Sequence, residues 1–244
     1  MSSILHYALF KKIMNSPSHT NVPMVPAQHS LLLKLPSELR LEIYDILGRR
    51  EPKSYPFGWG PICFIDRRAP PTALMATCRY LHDEILAHFY NTVTFHYLTQ
   101  TSTFPRISGL CPIALAAVRW VKKFHLKIYW KRRGPSLEEN YSKDLHFLIR
   151  WLEDITKMLL REAKSIKTVT IAVVDLTVGV DWEYKKRLLD PLKMLGQRAV
   201  LRLGEVTATG EEEEVELTAR MKLCLDGINE ERLRTSDVTT LGEQ

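Results

Sequence analysis

The sequence predicts an α/β fold: a pair of N-terminal helices ahead of an irregular, mainly parallel sheet with covering helices. Three observations lead there. Apolar residues recur with helical period over 35–47 and again over 72–90, β-branched and aromatic runs take over beyond Asn91, and those runs then alternate with helical segments. Strands separated by helices pair in parallel through right-handed crossovers, so the C-terminal part reads as a short, solenoid-like layer. The strand starts near 93, 121, 166 and 199 are unevenly spaced and no sequence recurs, which excludes a true leucine-rich array.

The chain opens with a segment, residues 1–30, that reads as flexible. Its first part, "MSSILHYALFKKIMNS", lacks acidic residues and places Ile4, Leu5, Ala8, Leu9 and Ile13 on one helical face. Transit peptides are Arg-rich, whereas this stretch has only Lys11 and Lys12, so a short amphipathic helix or a poorly ordered tail fits better. Residues 15–30 carry three prolines and little apolar pattern, the composition of a linker.

The first helix starts at Pro36, whose missing N–H costs nothing in the first turn, and ends near Gly48. Leu35, Leu39, Ile43, Ile46 and Leu47 line one face, opposite Glu38, Glu42, Asp45 and Arg49. An inserted loop, residues 48–71, follows with five prolines and three glycines, and has room for one short strand at 62–65. Tyr55, Phe57, Trp59 and Phe64 crowd this loop, and pinning to the domain is expected, because a free cluster would leave an exposed apolar patch. The next helix, "TALMATCRYLHDEILAHFY", has Thr72 as N-cap and a buried stripe of Leu74, Cys78, Leu81, Ile85 and Phe89. Strands are then predicted at "TVTFHYL", "VKKFHLKIYW", "IKTVTIAVVDL" and "AVLRLGEV", with helices at 111–119, 142–164, 184–196 and 212–226. In the long helix Leu145, Leu148, Leu152, Ile155 and Leu159 form the core face. The organisation is therefore a flexible segment to 30, a helical module over 31–97, an α/β region over 98–231 and a disordered tail over 232–244.

Composition narrows function more by exclusion than by indication. The chain has 244 residues, 45% hydrophobic and 25% charged, with 34 Lys+Arg against 28 Asp+Glu, a mild excess that permits an acidic partner without requiring one. Cys63, Cys78, Cys111 and Cys224 stand far apart, outside disulfide-framework or zinc-cage spacing, which suits reduced thiols in the cytoplasm or nucleus. No apolar run reaches the ~18 residues of a membrane span. No dinucleotide fingerprint, phosphate loop, nucleophile elbow or HExxH occurs, so no enzyme, cofactor or metal is predicted. Cys78 and His82 share a helix, but two ligands do not make a zinc site, and Asp175 and Gly179 in "VVDLTVGVD" read as a plain turn. His96 and His125, at matching positions of neighbouring strands, are expected to pack as a pair. The acidic run 211–214 suits a helix N-terminus.

Two features remain as candidates. "LPSELRLEIYDIL" followed by "ALMATCRYLHDEILAHFYNTVTFHY" resembles the F-box-like domain common in fungal proteins. The pattern is matched at Leu35, Pro36, Glu38, Leu39, Arg40, Ile43 and Tyr44, then at Thr77, Cys78, Arg79, Glu84, Tyr90, Thr94 and Phe95. The resemblance implies a substrate-receptor subunit of an SCF-type ubiquitin ligase, docking a Skp-type adaptor through Leu35, Pro36, Leu39 and Ile43, with the C-terminal region recruiting a protein substrate. It equally admits a structural, scaffold use of the module with no ligase link. The second candidate is the set of basic residues Lys131, Arg132, Arg133, Lys185, Lys186 and Arg187, expected near the carboxyl ends of parallel strands, where binding sites gather. An acidic or phosphorylated protein segment suits these charges; a nucleic acid is the alternative, disfavoured by the scarcity of stacking aromatics.

Overall fold

The computed structural model describes residues 31–48, 52–55, 63–68, 71–98, 112–131, 138–177 and 180–241. The N-terminal segment 1–30, Phe57, Trp59, Cys111, Arg132, Arg133 and the chain end 242–244 lie outside the described residues. The described residues divide into two compact units, one ending at Leu47 and the other beginning at Gly48. The second helical stretch and the strand after it, grouped with residues 31–47 in the sequence-based division at 97, belong to the latter.

In the first unit α1 (Leu31–Lys34) and α2 (Ser37–Leu47) meet at a turn on Leu35 and Pro36. Leu35 N–H donates to the Leu32 carbonyl (3.2 Å), ending α1, and Arg40 N–H donates to the Pro36 carbonyl (3.2 Å), opening α2. The Arg40 guanidinium folds back to donate to the Leu35 carbonyl. A proline at the start of the second helix thus lets the chain turn, and the arginine four residues on ties that turn down.

The second unit is built on one six-stranded sheet in chain order: β1 (Lys53–Tyr55), β2 (Cys63–Ile65), β3 (Thr94–Leu98), β4 (Lys123–Lys131), β5 (Thr168–Leu176) and β6 (Val200–Thr207). β1–β2 and β2–β3 are antiparallel; β3–β4, β4–β5 and β5–β6 are parallel. The sheet is therefore mixed: β3 to β6 pair in parallel as the sequence predicts, and the 48–71 stretch adds an antiparallel pair, β1 at the edge and β2 beside it, where a loop with one strand was expected. The link from Tyr55 to Cys63 is too short for the crossover that parallel pairing requires.

β2, β3 and β4 alternate between buried and less buried residues, as does β5 from Thr168 to Ile171. Cys63, Ile65, Phe95, Tyr97, Phe124, Leu126, Ile128, Val169, Ile171 and Leu201 are buried in one continuous core. The intervening residues run across the other face in register, Phe64 beside His96, His96 beside His125, His125 beside Thr170, and Thr170 beside Arg202. The same core takes in side chains from α5 (Pro112–Trp120), α6 (Glu138–Glu162), a 3₁₀-helix (Arg187–Leu192), α8 (Lys193–Gly196) and α9 (Glu211–Leu241), so these helices cover the apolar face. In α6 the expected stripe is buried at Leu148, Leu152, Ile155 and Leu159. At the sheet edge Asn229 of α9 stands in for a missing strand: its Oδ1 accepts from Leu201 N–H (2.9 Å) and its Nδ2 donates to the Leu201 carbonyl (2.8 Å).

Three helices depart from the sequence reading. The 72–90 helix is broken into α3 (Thr72–Met75) and α4 (Arg79–Thr92), with Cys78 as an extended N-cap and not a stripe residue. Thr77 Oγ1 donates to the Leu74 carbonyl (2.7 Å), and such local bonds compete with helix continuation. The 184–196 segment splits into α7 (Trp182–Lys186), the 3₁₀-helix and α8, because Pro191 has no N–H to offer an α-helical ladder. α9 begins at its acidic run as expected but continues to Leu241, through the stretch read as disordered; no proline or glycine interrupts it between Gly227 and Gly242.

Two glycines separate packing from propensity. A Cβ on Gly196 would stand 2.2 Å from Ile228 Cγ2 of α9, whereas a Cβ on Gly227, inside α9, would meet nothing within 4 Å. Gly196→Ala is expected to destabilise by about 1–3 kcal/mol through overpacking. Gly227→Ala should stabilise by about 0.5–1 kcal/mol. Urea unfolding midpoints check both; equal effects would contradict the α8–α9 packing.

Candidate functional site

The adaptor-binding residues of the resemblance sit on α2 and the turn before it. Leu35 and Ile43 are half-buried, Pro36 is exposed, and Leu39 is 47% exposed. Ile46 and Leu47, at 75% and 42%, extend the same face, so residues 39, 46 and 47 form an apolar stripe open to solvent, with half-buried Ile43 between them. The buried side of α2 is instead Arg40 and Tyr44, one helical turn apart, with Tyr44 only 1% exposed. The sequence pattern marks the leucine–isoleucine face and not this pair, because an arginine and a tyrosine carry little weight in apolar periodicity.

The basic residues do not act as one group. Lys131 closes β4 beside Leu176, and its side chain, like Arg132 and Arg133, lies outside the described residues. Lys186 and Arg187 are exposed. Lys185, expected as a free charge at the rim, is committed inward. Its Nζ stands 2.7 Å from Asp175 Oδ2, in an ion-pair contact whose angles fall short of a regular hydrogen bond. Asp175 is 1% exposed and Lys185 15%. Asp175 Oδ1 accepts from Thr177 N–H (2.9 Å) and from the Thr177 hydroxyl, so the residue read as a plain turn is a buried anion with its oxygens engaged. The ammonium also lies 5.8 Å from the Trp130 ring centroid. Trp130 and Asp175 are register neighbours near the carboxyl ends of β4 and β5, and a cavity of about 20 Å³ beside them is lined also by Trp182 and Leu188. That volume holds about one water. The pair fastens α7 to the carboxyl edge of the sheet; neither partner can be removed without leaving a buried charge uncompensated.

On the open sheet face His96 and His125 pack side by side as their positions predict, with Nδ1 atoms 3.2 Å apart. Phe64 stacks on His96 at 4.5 Å between centroids and 1° between planes, so this aromatic of the 48–71 stretch is pinned to the sheet. Lys127, near His125, pairs with Glu205 at 2.7 Å. Two nitrogens at this distance share one proton, one ring donating and the other accepting. Burial pushes the His96 pKa down against the opposing pull of Asp66; burial, then His96 and Lys127, push His125 down against Glu205. Among the described residues no group of three or more metal-ligating side chains occurs; His82, on the helix that Cys78 caps, contacts Asp83 at 3.0 Å. No described helix is long and apolar enough to cross a membrane.

No protein-family model, curated protein or solved structure matches the chain.

The histidine pair makes stability depend on pH. Both folded pKa values lie below the ordinary 6.5, so above it the rings are neutral folded or unfolded and no penalty arises. Below it the unfolded chain takes up protons first, and stability falls as pH drops. Urea midpoints should decline from about pH 6.5 towards 5, and His125→Gln should flatten that decline. An equal decline in the variant would contradict the pairing.

Proposed function

We propose that the chain is an F-box-like substrate-receptor subunit of an SCF-type ubiquitin ligase, acting by protein–protein recognition in the cytoplasm or nucleus. The carrying observation is the α2 stripe of Leu39, Ile46 and Leu47, which stays open, with Ile43 half-buried at its margin, while Arg40 and Tyr44 of the same helix are buried. A helix that needed these side chains for its own core would bury them. Left open behind a Leu-Pro turn, they suit a helix-in-groove contact with a Skp-type adaptor. Burying each is worth about 1.5–3 kcal/mol. Association itself costs about 4–15 kcal/mol, so Leu39 and Ile43 alone are too few and the whole stripe is required. A scaffold role with no ligase link is less favoured, because it leaves the exposed stripe without a use. A nucleic-acid role is less favoured because Lys127 and Lys185 are already held by Glu205 and Asp175.

The test is co-purification with a Skp-type adaptor. Leu39→Lys should abolish it and leave the melting temperature unchanged, since that side chain is half exposed. Tyr44→Ala, emptying a buried site, should cost about 3–5 kcal/mol of stability. A Leu39→Lys chain that unfolds, or that still binds the adaptor, would contradict the proposal.

A further inference from the structure

We infer that the groove between α6 and the 3₁₀-helix binds the carboxylate of an acidic side chain in a peptide, with an apolar neighbour of that residue seated beside it. The inference deepens the receptor reading, on which the meaning of the peptide as substrate rests. The groove has a volume of about 470 Å³. One wall carries Ile149 and Thr156 of α6; the other carries Arg187, Pro191 and Met194. Both sets recur at helical spacing, so two parallel rows of side chains face one trough.

Its charges sort themselves. Glu153 and Asp190 also line the groove, but Glu153 is met by Lys157 at 3.6 Å and Asp190 by Lys193 at 2.8 Å. Arg187 is exposed and lines the groove, with no hydrogen-bond or ion-pair partner among the described residues. Thr156 adds an independent sign: it is 1% exposed, yet its hydroxyl has no hydrogen-bond partner. A buried hydroxyl left unmet costs free energy that an incoming acceptor returns. Thr156 is among the residues that line the groove, so an acceptor seated there lies against it.

One planar guanidinium fork and one hydroxyl match a carboxylate, which accepts two parallel bonds from arginine. A phosphate dianion fits less well, because Arg187, the one cation without a partner among the described residues of the lining, would have to hold two negative charges beside Glu153 and Asp190. Ile149, Pro191 and Met194, the last 51% exposed, give the apolar floor for a neighbouring side chain.

The experiment uses the full chain, labelled for NMR, with acetyl-Leu-Glu-Leu-amide and acetyl-Leu-Gln-Leu-amide as probes. The Arg187 Nε–H resonance should shift saturably with the Glu peptide, and binding of the Gln peptide should be about tenfold weaker. Arg187→Ala should lose the response at residues 153–157. Thr156→Val should weaken binding severalfold while melting no lower than the parent, which separates lost affinity from lost folding. No response, equal affinity for the two peptides, or Glu-peptide binding that survives Arg187→Ala overturns the inference. Adaptor co-purification, followed in parallel, should be untouched in Arg187→Ala. A chain that binds the Glu peptide but no adaptor keeps the groove and removes only the receptor reading.

Discussion

Four strands taken up in chain order and paired in parallel leave little choice about where their connections run. Right-handed crossovers that always step the same way lie on one side of the sheet. In this chain that side receives Phe95, Phe124, Val169 and Leu201 from successive strands, and every helix of the core cluster beyond β3 contributes to covering them. The other side is left to Phe64, His96, His125, Thr170 and Arg202. The helices then become the outer wall of the unit, and the groove beside Arg187 exists because two of them line up over the same core. The edge strand β6 would have free backbone groups, and Asn229 of α9 satisfies a pair of them.

The features legible in the sequence are those written in local periodicity. The strands at 94–98, 123–131, 168–176 and 200–207 lie within or close to the runs that predict them, because alternation of buried and open residues is a property of neighbours in sequence. The long helix 138–162 is legible for the same reason. The histidine pair could be anticipated because parallel register follows from matching strand positions. Helix interruptions were less legible: a threonine hydroxyl bonded back to Leu74 and a proline at 191 act through single atoms that apolar periodicity ignores.

Least legible were contacts between distant positions. Asp175 looks like a turn residue and Lys185 like one of a solvated basic run, and only the fold brings them to 2.7 Å. The signal that could have found them is an acidic residue at the buried phase of an otherwise apolar strand, since such a residue demands a partner. The basic run is thereby divided, with Lys185 structural and Arg187 in a groove. Similarly, Arg40 and Tyr44 are hard to read in α2, because an arginine and a tyrosine carry little weight in apolar periodicity and the Arg40 bond back to Leu35 is not written in it. The division of labour on that helix, a polar-tipped buried side and an aliphatic open side, is the reverse of the usual amphipathic arrangement. It is the strongest reason to regard the helix as a surface for a partner.

Hydrogen–deuterium exchange of the full chain, alone and mixed with a purified Skp-type adaptor, tests that account most directly. Slowed exchange confined to peptides covering residues 35–47 is the predicted result. Unchanged exchange there, or protection found only in the strands between 94 and 207, would contradict it.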